Sequence, residues 1–164
     1  MKKLSVVMIL SIFTLLTVNA QNSTHRGNTQ LNAGVGLSGW GIPIYVGFDF
    51  GVQHDITLGL EASFRSYDKN DYNHSIIGFS GNGNYHFNRI FDIPSNWDFY
   101  AGLNLGFYIW SSPKDYHGSN LSSLGLGAQI GGRYFFNDSF GLNLEIGGNN
   151  AWNSGGKFGI TYRF

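Results

Sequence analysis

No cysteine occurs anywhere in the chain. That excludes a disulfide framework, a thiolate metal site and a lipid-bearing cysteine anchor. Charge is scarce too: Asp, Glu, Lys and Arg make up 12% of residues, against about 25% in ordinary soluble domains, so a water-facing surface would be short of the charges that keep it soluble. The formal net charge is zero, with no basic excess to attract nucleic acid. After residue 18 no apolar run is long enough to cross a membrane as a helix, and no helical stripe is sustained. At 164 residues there is room for one domain.

What the chain has instead is glycine (24 residues), 16% aromatics and a strict two-residue alternation. Met1-Lys2-Lys3 followed by the apolar run Leu4 to Val18 and by Val18-Asn19-Ala20 has the form of a cleavable export signal, too short for a comfortable membrane anchor. Cleavage after Ala20 is expected, with a polar tail over 21–29 and the folded unit over 30–164.

Eight alternating segments follow: 30–38, 42–52, 56–66, 75–87, 97–110, 123–136, 140–149 and 157–164. In the cleanest, Ile56, Leu58, Leu60, Ala62 and Phe64 share one face while Thr57, Gly59, Glu61, Ser63 and Arg65 share the other. Such a sheet has to close, because hydrocarbon cannot satisfy an open strand edge. The predicted fold is therefore all-β: an eight-stranded antiparallel up-and-down transmembrane β-barrel. With both termini on the periplasmic side, short turns fall at 53–55 and 137–139, and polar loops at 68–74, 111–120 and 150–156 fall outside. The connection 88–96, with Pro94, is long for a periplasmic turn.

The face that meets lipid follows from composition. Were the apolar face inside, as in a soluble ligand-binding barrel, the exterior would be Gly, Asn, Ser and Tyr with few charges. With the apolar face outward, the sparse charges lie in the lumen, where they can pair. Phe50, Phe87, Trp97, Tyr134, Phe136 and Tyr162 then gather at the periplasmic end as an interfacial girdle. Trp40, Phe64, Phe107 and Trp152 mark the outer interface. The lumen receives Asp49, Glu61, Arg65, Arg133, Glu145, Lys157 and Arg163, together with His86 and Asp98. Arg133 and Glu145, on neighbouring strands, are expected to meet diagonally. Eight strands leave an interior just filled by side chains, so these charges read as a polar plug more readily than as a gated ion path.

The terminal Tyr162-Arg163-Phe164 resembles the C-terminal signature of outer-membrane barrels, and Gly131 to Leu142 (GGRYFFNDSFGL) is similar to the penultimate hairpin of the small OmpX/OmpA-like barrel family. The resemblance implies an outer-membrane location, with outer-membrane lipid as surroundings and Phe164 as the signal presented to the barrel-assembly machinery. It implies fold far better than activity. A structural role, or recognition and adhesion through outer loops, is the expected function; a small selective pore is the alternative. A lipid-modifying enzyme would need a nucleophile beside a histidine on the lipid-facing surface. His25, His54, His74, His86 and His117 are scattered, with none so placed and no two sharing a strand face at metal-ligand spacing. Neither catalysis nor a cofactor is expected.

Overall fold

Apolar and polar residues alternate with a period of two, so each strand carries two chemically distinct faces. In the computed structural model the described residues are 27–39, 41–69, 72–111, 123–150 and 153–164. The expected export signal, the tail up to residue 26 with His25, Trp40, Trp152, His117 and most of the 111–120 loop lie outside them. Among the described residues there is no helix. Eight strands run in order: β1 (Thr29–Ser38), β2 (Ile44–Gln53), β3 (Ile56–Lys69), β4 (Tyr72–His86), β5 (Trp97–Ser111), β6 (Ser123–Phe135), β7 (Phe140–Asn149) and β8 (Asn153–Arg163). Each pairs antiparallel with the next, and β8 pairs with β1, so the sheet is a closed barrel.

Three expectations about strand limits are corrected. The polar stretch 68–74, read as a loop, is mostly strand: β3 and β4 stay in register out to Asp68 opposite Asn73 and Lys69 opposite Tyr72. Ser66 donates to Asn73 Oδ1 at 2.9 Å and Asn73 Nδ2 to Asp68 at 3.1 Å, so polar side chains cross-link the projecting hairpin on its outward face. β8 likewise starts at Asn153, inside the expected 150–156 loop, whereas β2 begins at Ile44, two residues later than expected.

Burial is inverted relative to a water-soluble fold. Leu60 and Leu103 are each 66% exposed, whereas Asp98 is 2% and Thr161 0%. Most of the buried residues are polar or charged, because the lumen is where backbone and side-chain partners are available. The aromatic girdle sits at the end of the barrel that carries Thr29 and Arg163, called here the terminal end. Trp97 packs on Tyr134 and Phe140 on Tyr162, with ring centroids 4.8 Å apart in each pair. Phe50, Phe87 and Phe136 are also on the outward face there, Phe87 and Phe136 one residue past their strands. Phe64 and Phe107 face outward towards the other, distal end.

The long connection 87–96 is an ordered turn. Ile90 and Phe91 N–H both donate to Phe87 O, Ile93 N–H to Asn88 O, and Trp97 N–H to Pro94 O. Asn88 braces it, accepting from Phe99 N–H and donating to Trp97 O. Asp92 takes the left-handed conformation (φ 50°) that Asp tolerates as a single residue. Arg89 reaches across to the β2–β3 turn, where its Nε bonds both oxygens of Asp55 and its Nη2 bonds Oδ2. These hydrogen bonds hold the Arg89 guanidinium above its usual pKa.

Candidate functional site

The chemistry of the molecule is concentrated in its lumen. A hydrogen-bonded circuit there takes one or more side chains from every strand. It starts at Tyr45 (β2), whose hydroxyl donates to Asn143 Oδ1 (β7) at 2.6 Å. Asn143 Nδ2 donates to Thr161 Oγ1 (β8) at 3.0 Å, and Thr161 donates to Asn32 Oδ1 (β1) at 2.7 Å. Asn32 Nδ2 donates to Asp49 (β2) at 2.9 Å. Arg133 (β6) bridges Asp49 at 2.5 Å and Asp98 (β5) at 3.0 Å. His86 (β4) donates from Nδ1 to Asp98 at 2.6 Å, and its Nε2 hydrogen-bonds with the hydroxyl of Thr57 (β3) at 3.0 Å.

Glycines at single register positions make the circuit possible. Tyr45 lies opposite Gly34, Gly34 opposite Gly159, and Gly159 opposite Asn143. The two glycines leave a trough across the β1–β8 seam, along which the tyrosine reaches its partner. A Cβ on Gly159 would run into the Ala33 carbonyl and sit 2.7 Å from the Tyr45 hydroxyl. The same device recurs where Tyr100 lies opposite Gly131 and Gly131 opposite Glu145. Tyr100 crosses the glycine to donate to Glu145 Oε2 at 2.9 Å. A Cβ on Gly131 would collide with that ring.

A second ionic layer lies towards the distal end. Lys157 contacts Glu61 at 2.8 Å and Glu145 at 2.7 Å. The expected meeting of Arg133 with Glu145 does not occur: Arg133 stands opposite Asn143, Glu145 stands opposite Lys157, and each charge takes the partner that its own row or the facing wall provides. The described lumen carries four carboxylates (Asp49, Glu61, Asp98, Glu145) and four cations (Arg65, Arg133, Lys157, Arg163). Arg133 and Lys157 each hold two carboxylates, and the remaining two cations stand nearer the ends. Arg163 lies 3.7 Å over the Phe135 ring at the terminal end, and Arg65 donates to Ser38 Oγ at 2.9 Å near the distal end. Beside Arg65, Ile76 and Tyr108 are buried with Tyr67 and Trp110 packed on them, and Tyr67 stacks on His74. Ile76, Tyr67, Trp110 and Phe135 went unnoticed in the sequence, although their parity marks them as lumen-facing.

Little space remains. One cavity of about 60 Å³ lies in the distal half, lined by Tyr45, Glu61, Asn82, Asn104, Gln129 and Lys157 among others, and one of about 20 Å³ adjoins it beside Arg133. These volumes suit a few water molecules. Thr57, His86 and Asp98 have the hydroxyl–imidazole–carboxylate order of a hydrolytic triad. Thr57 and His86 are each 1% exposed, and neither lumen cavity touches them. Burial keeps that hydroxyl from solvent, and Asp98 is shared with Arg133.

Lys157 gives a direct test of the second layer. Lys157→Met is expected to cost about 3 kcal/mol, because it strands two desolvated carboxylates, and Glu61→Gln with Glu145→Gln in the same chain should recover most of the loss. Urea unfolding of the folded barrel reads both; equal stability of the single and triple variants would refute the pairing.

No family model and no curated protein matches the sequence. Solved structures do match its three-dimensional form. The outer membrane protein OprG of Pseudomonas aeruginosa superimposes with a TM-score of 0.65 at 12% identity, covering 87% of this chain and 99% of that one. The fold is that of the small outer-membrane β-barrels. The N-terminal β-barrel domain of Pseudomonas aeruginosa OprF gives 0.63 at 12% identity over 85% of this chain and 98% of that one. Ail, the attachment invasion locus protein of Yersinia pestis, solved with the heparin analogue sucrose octasulfate, gives 0.56 at 12% identity over 85% and 99%. At such identities the small-barrel likeness concerns backbone architecture.

Proposed function

We propose that this chain is an integral outer-membrane barrel with a plugged lumen, which catalyses no reaction and serves structurally or in recognition and adhesion through its distal connections. The observation that carries the reading is the inversion of burial. A wall of exposed Leu, Ile, Val and Phe encloses a lumen in which Arg133 and Lys157 each pair with two carboxylates, an arrangement that suits lipid outside and no other solvent. The export-signal pattern at Met1 to Ala20 supports the location. Tyr162-Arg163-Phe164 supports hand-over to barrel-assembly machinery through β8, whose Phe164 N–H bonds Thr29 O across the seam. The terminal end then faces the periplasm.

Recognition is favoured by what the distal connections contain. Residues 67–74, 110–120 and 149–154 are rich in Tyr, Trp, Asn, Ser and Gly, the mixture of rigid aromatic anchors and adaptable polar groups found in binding loops. Their only lysines are Lys69 and Lys114, set beside Asp68, Asp71 and Asp115, and they carry no arginine, so a sulfated polyanion is a poor match. A neutral, polar surface is the better one.

The test is a comparison of unboiled and boiled samples on a gel of the outer-membrane fraction. A faster unboiled band in that fraction is expected, and a soluble periplasmic protein without a heat shift would refute the membrane reading. The distal cavity favours a pore as the second reading, and planar-bilayer recording decides between them. The expected trace is silent, since Arg133, Asp49 and Asp98 fill the cross-section; steady openings by the unaltered barrel would make it a pore.

A further inference from the structure

We propose that the wall formed by β5 to β8 retains one phospholipid acyl chain in a groove centred on Gly132, an inference that rests on the membrane reading above. Outward-facing residues on this wall stand in register rows. One row runs Phe99, Gly132, Leu144, Phe158. The rows on either side, Trp97–Tyr134–Leu142–Ile160 and Ala101–Ile130–Ile146–Gly156, carry a side chain on β6 at every position. Gly132 is the gap. Around it lies an outward-facing groove of about 480 Å³, bounded by Phe99, Ile130, Tyr134, Leu144 and Phe158. That volume is within the ~300–1,000 Å³ range of small-ligand sites.

The chemistry of the lining selects the occupant. The groove presents carbon almost throughout, which leaves no partner for a peptide or a headgroup. At its terminal end, Trp97 and Tyr134 meet with ring centroids 4.8 Å apart. They bring an indole N–H and a hydroxyl to the level where glycerol esters sit, as amphipathic rings do at membrane interfaces. An apolar trench with two polar tips at its interfacial end matches an acyl chain joined to its ester. A second copy of the barrel is a weaker match. Hydrocarbon supplies no hydrophobic drive for protein faces to meet, and a concavity left empty forfeits the dispersion contacts of its lining. A flexible chain fills it at little cost and touches more wall than on the flat side of the barrel.

Native mass spectrometry of the folded barrel, released from phospholipid nanodiscs into mild detergent, tests this. One retained phospholipid per barrel is expected for the unaltered chain. Gly132→Leu should lose most of that adduct, and Gly132→Ala, a smaller filling, part of it. A Cβ at Gly132 sits 3.0 Å from the Phe99 ring, a lipid-facing side chain that can turn aside. Ala33→Leu, on the outward face of β1 and lining neither this groove nor the smaller one of about 450 Å³ between Val46, Leu60 and Phe79, adds comparable bulk elsewhere and should retain the lipid. No adduct on the unaltered barrel, or equal retention by Gly132→Leu, overturns the groove. A dimer abolished by Gly132→Leu overturns it in favour of a second copy. Each variant is first checked for the heat-dependent gel shift; an unaltered chain that never inserts into nanodiscs overturns the membrane reading and the groove together, whereas insertion without retention overturns the groove alone.

Discussion

Replacing Arg133 with alanine is expected to lower the unfolding free energy of the barrel by about 3–5 kcal/mol, the usual loss when one partner of a buried ionic group is removed. Arg133 is 2% exposed and is held between Asp49 and Asp98 while its guanidinium lies 4.4 Å from the Tyr100 ring centroid. Without it two carboxylates stay desolvated, with only Asn32 and His86 left as side-chain partners. Arg133→Lys should fall between the two. Its compact ammonium matches one carboxylate, whereas the planar fork serves both at once. Urea titration of the folded barrel, read by loss of the heat-shifted band, measures the difference. A midpoint for Arg133→Ala equal to that of the unaltered chain would show that the circuit contributes nothing to stability. Removing the same side chain also vacates the space that closes the lumen, so Arg133→Ala is the variant in which bilayer recordings should first show current.

Gly159→Val is expected to prevent closure outright. Its Cβ would meet the Ala33 carbonyl, which is backbone and cannot turn aside, and would push against the Tyr45 hydroxyl. Overpacking a filled interior ordinarily costs about 1–3 kcal/mol. Here the same substitution also breaks the Tyr45–Asn143 hydrogen bond and separates β8 from β1. The expected result is little or no heat-shifted species after refolding into lipid. Gly81→Ala is the matched control, since the nearest atoms to its added carbon lie 3.8 and 3.9 Å away, and it should fold as the unaltered chain does. Normal folding of Gly159→Val would mean that the seam has slack that the register does not suggest.

The sequence displays the two faces of this barrel openly because β periodicity leaves no intermediate choice. A residue such as Leu60 or Glu61 points to one side or the other, and a single slip would reverse all of them. Strand ends were harder to read. Asp68 and Asn73 look like loop residues because they are polar, yet they lie on strands that run past the apolar belt, where the outward face again meets polar surroundings. Ion partners were hardest. Arg133 and Asp49 are 84 positions apart and on strands that do not touch. Their meeting depends on how rows are offset around the cylinder, which an alternation pattern does not encode. The tyrosine troughs did leave a trace, in Gly34, Gly131 and Gly159 on the lumen-facing parity, but it can be interpreted only once Tyr45 and Tyr100 are known to stand in the same rows.

The circuit from Thr57 to Tyr45 has a kinetic consequence. Its bonds Thr161–Asn32, Arg133–Asp49 and Tyr45–Asn143 join strands that are not consecutive in the chain, so an open sheet holds only fragments of it, and it is complete only after β8 has found β1. Interactions absent from the transition state slow unfolding and leave the folding rate nearly untouched. The circuit therefore works as a latch that engages behind the completed barrel: it sets how long a molecule stays in the membrane and has little say in how fast one arrives.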